Sequence, residues 1–259
     1  MDFLSEVRDA IKAAVGSDHR PVVVYSAVWP FFRELRQADH AAVESLLEVL
    51  LSVVGQRTLL MPTFSSGFAN GVCNLDVERS LTGVLSETFR RQAGTRRTLS
   101  AYFSFAVSGE DADAVAALQP VHAWGPDSVY EWMETRDACF LMLGTHPTQC
   151  SYLHRAEWLA RELVSYRFDK TFQGQLVRDG RRISITETLY VRQMEPPVVN
   201  DFTVLAPLLS RAGMVTTSPR GVPIAAYHAK AALAETVAGL RRDPLLLVKN
   251  RHDYEGRNQ

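Results

Sequence analysis

The stretch Cys139-Phe140-Leu141-Met142-Leu143-Gly144-Thr145-His146-Pro147-Thr148-Gln149-Cys150-Ser151-Tyr152-Leu153-His154-Arg155-Ala156-Glu157-Trp158 passes from an unbroken apolar run, through a glycine and a polar segment, into a helical pattern. An apolar run without alternation reads as a strand covered on both faces. Gly144 stops it, a polar loop follows, and a helix is expected from about Ser151 to Val164. Residues 21 to 27, Pro-Val-Val-Val-Tyr-Ser-Ala, have the same character: a β-branched run that ends in small and polar groups, as a buried strand does when it delivers a loop.

If the chain turns helical at Ser151, then Ser151, His154 and Glu157 stand at successive i, i+3 positions and share one face. A histidine titrates near neutral pH and can accept a proton from an attacking amine. A carboxylate beside it can fix its tautomer and steady the imidazolium. Ser151 can donate to a developing oxyanion or to a leaving thiolate. Other readings share these residues. His146, Cys150 and His154 are spaced by four, as zinc ligands on a helix would be, although Pro147 separates His146 from that helix and no fourth ligand is evident. Cys150 or Ser151 with His154 would suit a thioester or ester hydrolase.

Outward from these strands, Leu46, Leu47, Leu50, Val53 and Val54 recur with helical spacing, with Asp39 as N-cap and Gly55 at C′. Thr58-Leu59-Leu60-Met61 is the next buried strand, stopped by Pro62. Residues Phe64 to Asn74 form a polar loop, long enough to suggest a functional role. Leu81, Val84, Leu85 and Phe89 mark a helix, and Tyr102 to Val107 a strand. Asp179-Gly180, flanked by Gln175-Leu176-Val177 and Ile183-Ser184-Ile185, predicts a type I′ hairpin and with it a mixed sheet. Asp201 caps a helix over Phe202 to Leu209, Val215 to Pro223 is punctuated by Pro and Gly, and a last helix is expected over Ala225 to Leu240. The polar residues 249 to 259 are expected to fray.

The chain has 259 residues, 46% of them hydrophobic, which is enough for one sizeable domain. With 28 basic and 29 acidic residues, it lacks the charge footprint of a nucleic-acid binder or a polybasic membrane segment. The opening Met1-Asp2-Phe3-Leu4-Ser5-Glu6 lacks a basic n-region, and no apolar run approaches a bilayer span, so a cytoplasmic protein is expected. Cys73, Cys139 and Cys150 form no paired framework and are read as reduced thiols. The expected partner is a small molecule, with the chain a monomer or homodimer.

Along nearly its whole length the chain resembles the aminoglycoside 3-N-acetyltransferase family. Val24-Tyr25-Ser26-Ala27 is similar to the family's V-H-S-S, Leu60-Met61-Pro62-Thr63 to its L-x-M-P-T, and Asp76 with Ser80, Gly83, Leu85, Glu87, Phe89 and Arg90 to its D…S-x-x-G-x-L-x-E-x-F-R. Arg97-Thr98 with Ser104 resembles R-S-x-H-P-x-x-S, and Trp124-Gly125-Pro126-Asp127-Ser128 resembles F-G-x-G-S. The most specific match is Leu143-Gly144 with Ser151 to Glu157, which looks like L-G…T-x-x-H-x-A-E. Asp201-Phe202 and Gly213-Met214-Val215 resemble the C-terminal D-F…G-x-V.

The resemblance implies one α/β/α unit with a mixed central sheet. It also implies transfer of an acetyl group from acetyl-CoA to an amine, with His154 as base, Glu157 orienting it and Ser151 stabilising charge; no metal is expected. Ser26, Ala27, Arg97, Ser104 and Ser128 become candidates to contact the CoA pantetheine or phosphates. The chain departs from the family's pattern at Tyr25, Ala27, Glu78, Arg79, Ser100, Ala101 and Ser151, the last keeping a hydroxyl. A polycationic aminoglycoside calls for several unpaired carboxylates. The near-neutral chain and the acid-free loop Phe64 to Asn74 favour a less cationic acceptor, such as an amino sugar. A non-catalytic CoA-binding relative is the remaining alternative.

Overall fold

The computed structural model describes residues 2–68 and 71–255. Its strands are β1 Val22–Ser26, β2 Leu59–Pro62, β3 Val72–Asn74, β4 Arg96–Arg97, β5 Phe105–Ser108, β6 Cys139–Leu143, β7 Arg167–Arg178, β8 Arg181–Arg192, β9 Val215–Thr217 and β10 Ile224–His228. Its α-helices are α1 Phe3–Val15, α2 Trp29–Leu35, α3 His40–Val54, α4 Val84–Arg90, α5 Ala112–Ala116, α6 Val129–Thr135, α7 His154–Leu159, α8 Ala206–Arg211 and α9 Ala229–Arg242.

A seven-stranded sheet in the order β4-β5-β2-β1-β6-β10-β9 forms the centre. The inner strands β2, β1 and β6 are parallel. The flanking strands β5 and β10 run antiparallel to them. Alternate residues of the inner strands feed two cores, as the two-residue repeat of a strand requires. Val22, Val24, Cys139, Leu141 and Leu143 pack with Val7 and Ile11 of α1 and Leu46 and Leu50 of α3. Val23, Tyr25, Phe140 and Met142 pack on the other side with Tyr130, Tyr152, Ala156 and Leu233. Both faces are covered, which is why these runs carry no polar alternation and why the fold is the expected α/β/α sandwich.

Capping follows the expected chemistry at α3: the Asp39 side chain accepts from Ala42 N at 3.0 Å, and Gly55 takes a positive φ of 64°. Helix α1 has the same logic but was not among the expected elements. Phe3, Val7, Ile11 and Val15 bury one stripe, and Asp2 caps it.

Four expectations change. The Asp179-Gly180 hairpin forms, with φ of 51° and 69° at its turn. It belongs to a separate three-stranded sheet, β3-β7-β8, and the mixed character of the central sheet comes instead from β5 and β10. The end of the polar loop Phe64 to Asn74 supplies β3, which pairs in parallel with β7; Ala69 and Asn70 lie outside the described residues. Ala225 to His228, read as the start of the last helix, belong with Ile224 to a strand beside β6, because its apolar side chains complete both cores. The tail is docked as far as Glu255: Tyr254 is 0% exposed and its hydroxyl donates to the Pro196 carbonyl. One aromatic anchor overrides the polar composition around it; residues 256–259 lie outside the described residues. No helix among the described residues is long and apolar enough to cross a membrane.

Candidate active site

Because β1 and β6 are parallel neighbours, with Ser26 beside Leu143, their loops leave the sheet at the same edge. Loops at the carboxyl ends of parallel strands are the usual place for a ligand crevice. Gly144 lets the two loops approach: at its φ of 67°, a Cβ would stand 2.3 Å from the Ala27 carbonyl oxygen. The polar segment beyond it crosses to a 3₁₀ turn, Ser151–Leu153, which runs straight into α7. The expected helical face is therefore present, and it carries Ser151, His154 and Glu157 together.

Glu157 is 0% exposed, and its carboxylate accepts three bonds: from His154 Nδ1 at 2.6 Å, Tyr166 Oη at 2.8 Å and Arg167 Nε at 2.7 Å. Burial alone would raise its pKa. The Arg167 charge and the hydrogen bonds from His154 and Arg167 outweigh burial and hold it below the ordinary value, so the group is ionised. An ionised carboxylate only accepts, which places the imidazole proton on Nδ1 and leaves the Nε2 lone pair free. Burial, and then the Arg167 guanidinium, push the His154 pKa below its ordinary value, so the ring is neutral at physiological pH. Its position is held by edge-to-face contacts with Phe202 at 4.8 Å and Trp124 at 5.7 Å between centroids.

The ring is reachable, its side chain being 26% exposed. Three chambers adjoin there. One of about 500 Å³ is lined by Ser151, His154, Asp201 and Phe202. A second, of about 320 Å³, shares Phe103, His154 and Asn200 with it and adds Trp124, Arg167, Leu189 and Arg192. A third, of about 280 Å³, shares Phe64, Gln149 and Ser151 and opens towards Tyr25, Ser26 and Thr82. His154 thus stands where two lobes of one cleft meet, and Ser151 marks the entry of the third.

Ser151 Oγ lies 2.6 Å from Tyr25 Oη and 2.7 Å from Tyr130 Oη. Burial raises both phenols well above their ordinary value, so each keeps its proton and can donate to Ser151. With both lone pairs occupied in this way, the serine hydrogen is left for the cleft. Tyr25, a departure from the family's histidine, is therefore part of the site.

The proposed CoA contacts divide. Ser26 lines the third chamber. The Ala27 N–H is spent on the Leu143 carbonyl at 2.8 Å, so Ala27 shapes the bend. Arg97, Ser104 and Ser128 are buried and engaged by internal hydrogen bonds. Arg97 donates to the carbonyls of Leu75, Glu78 and Thr63 at 2.7–2.8 Å and to Ser104 Oγ at 3.0 Å, and burial pulls its pKa down to about 10. Ser104 Oγ passes its hydrogen to the Thr63 carbonyl at 2.8 Å. Ser128 caps α6, accepting from Glu131 N at 3.1 Å and donating to the Gly125 carbonyl at 2.6 Å.

Ser100 and Ala101, two further departures, bind the buried Glu187 through the Ser100 hydroxyl and through Ala101 N at 2.9 Å. That clamp seats the loop presenting Phe103 to the cleft. Cys150 is 5% exposed, and burial pushes its thiol up to about 12, which withholds the thiolate a cysteine hydrolase needs. His146 Nδ1 lies 2.8 Å from the Thr148 hydroxyl. Among the described residues no group of three or more His, Cys, Asp or Glu is arranged to hold a metal. Arg167, Tyr166, Tyr130 and Asn200 were missed, because they reach the site from elements distant in sequence and carry no motif of their own. Trp124 and Phe202 sit within recognised fragments, but spacing gave no hint that they flank the imidazole.

Comparison with known proteins agrees with this fold. A search of curated protein sequences returned no match. Among solved structures, aminoglycoside acetyltransferase AAC(3)-Xa superposes with a TM-score of 0.76 at 18% identity, covering 92% of each chain. AAC-IIIb in its binary complex with CoASH gives 0.75 at 17% identity, over 92% of this chain and 96% of that one. AAC-VIa bound to sisomicin gives 0.75 at 18%, over 92% and 97%. The fold is shared with all three. The family model for aminoglycoside 3-N-acetyltransferase matches residues 32–240, a range that includes Ser151, His154 and Glu157. By that match the chain belongs to the aminoglycoside 3-N-acetyltransferase family, a family of acyltransferases.

Proposed function

We propose that the protein transfers an acetyl group from acetyl-CoA to a primary amine of an amino-sugar-like small molecule, with His154 as general base. The observation that carries this reading is the imidazole whose Nδ1 proton is tied to a buried, ionised Glu157 while the ring stays 26% exposed at the meeting of two lobes. The lobe that opens towards Ser26 receives the pantetheine arm, in keeping with the CoASH bound by the structural neighbour AAC-IIIb. The amine enters from the other side.

The nitrogen attacks the thioester carbonyl, a C–N bond forms, and the displaced proton goes to His154 Nε2. Glu157 steadies the imidazolium, and the free Ser151 hydrogen donates to the carbonyl oxygen as it gains charge. The C–S bond then breaks, and the leaving thiolate takes the proton from the imidazolium. Acetyl-CoA dependence and three free cysteines fit a cytoplasmic site of action.

The test is release of CoA thiol from acetyl-CoA across a panel of amines. Amine-dependent release supports transfer, whereas release without any amine indicates hydrolysis and removes the proposal. Ser151→Ala is expected to lower kcat roughly 10²–10³-fold, the cost of losing one oxyanion donor. A variant within about twofold of wild type would remove Ser151 from that role. The pH dependence has a defined sign. The base works as neutral imidazole, and its pKa lies below the ordinary histidine value of 6.5, so kcat rises with pH along an acid limb centred below 6.5 and levels above it. A kcat–pH profile with its midpoint at or above 6.5 would contradict the site's electrostatics.

A further inference from the structure

The chamber on the acceptor side of His154 has a charge that a polycation would not choose. Its lining carries Arg167 and Arg192 and no carboxylate. The two arginines are directly opposite each other across the β7–β8 ladder, an arrangement that costs stability when nothing neutralises it. Arg167 is neutralised by Glu157 and further engaged by the Tyr190 carbonyl at 3.1 Å and Asn200 Oδ1 at 3.3 Å. Arg192 is not: its guanidinium donates to the Val198 carbonyl at 3.2 Å and has no carboxylate partner among the described residues. Asp169, the acid nearest to it along β7, is turned to His122 Nε2 at 3.0 Å. The acid of the adjoining chamber, Asp201, does not line this one, and one of its oxygens is occupied by Thr203 N.

Resting on the acetyl-transfer reading, we infer that the acceptor is an amine that also bears an anionic group, a phosphate or carboxylate, received by Arg192. A planar guanidinium with donors to spare matches either oxyanion in a charge-assisted pair. The amine end would then lie towards Asp201 and His154 Nε2, and the wall of Trp124, Leu189 and Val191 would pack the carbon skeleton between the two ends. Such a chamber turns away a molecule with many ammonium groups, because Arg192 repels them and no acid lines this lobe to receive them.

The test compares wild-type protein with Arg192→Gln by CoA thiol release, using glucosamine 6-phosphate against glucosamine, 4-aminobutyrate against butylamine, and sisomicin as the polycationic probe. The expected result is a higher kcat/KM for the anionic member of a pair, with sisomicin poorest. Arg192→Gln should cut the anionic member's kcat/KM roughly 10-fold or more, the worth of a charged hydrogen bond, and change the neutral member's by under about threefold. Two results would overturn the inference while leaving amine acetylation standing: preference for sisomicin, or an anionic-to-neutral ratio unmoved by the substitution. Thiol release that ignores every amine, or none at all, would defeat the acetyl-transfer reading and this inference with it.

Discussion

His154→Ala is expected to lower kcat by roughly 10²–10⁴-fold, the usual worth of a positioned general base, while the protein stays folded. The second half of that statement follows from the geometry. Removing the imidazole takes one of three partners from Glu157, but Tyr166 and Arg167 remain at 2.8 and 2.7 Å, so no buried charge is stranded. The site is already partly open at this ring, so the loss of packing is small. Thermal unfolding and single-substrate kinetics on the same preparation check both halves. Near wild-type kcat in a folded variant would remove His154 as the base; a collapse of stability would show that the ring is chiefly structural.

Glu157→Gln should fail in a different way. The glutamine keeps the shape but not the charge, and Arg167, whose side chain is 6% exposed, loses its only carboxylate partner among the described residues. Stranding one member of a buried ion pair costs about 3–5 kcal/mol, which corresponds to a fall in Tm of the order of 10 °C for a chain of this size. The His154 Nδ1 proton also loses its ionised acceptor, so the tautomer with Nε2 free is no longer enforced. Activity is expected to fall by roughly 10²–10⁴-fold as well. The contrast between the two variants is the diagnostic: His154→Ala loses rate and keeps stability, whereas Glu157→Gln loses both. Equal melting temperatures for the two would mean that the carboxylate does not balance a buried arginine.

Much of this was legible along the chain. The i, i+3, i+6 spacing of Ser151, His154 and Glu157 placed them on one face, since a helix converts local spacing into proximity without help from the rest of the molecule. The unbroken apolar runs at Val22–Tyr25 and Cys139–Leu143 gave strands covered on both sides, and Asp179-Gly180 gave its hairpin. For Arg97, Ser104 and Ser128 the motif gave only residue type and order, and the internal hydrogen bonds they make became visible only in the tertiary structure.

The sequence by itself determined the inner strands β1 and β6, helix α3 and the His-x-x-Glu pair, because these depend on periodicity and on interactions between residues close in the chain. Tertiary structure alone decided the rest. It brought Tyr25 and Tyr130 onto Ser151 across 126 and 21 residues, set Arg167 against Glu157, and left Arg192 facing the cleft without an acid. The physical reason is range: hydrophobic alternation is written residue by residue, whereas the pKa of an imidazole and the charge of a chamber depend on which distant side chains the fold places within a few ångströms.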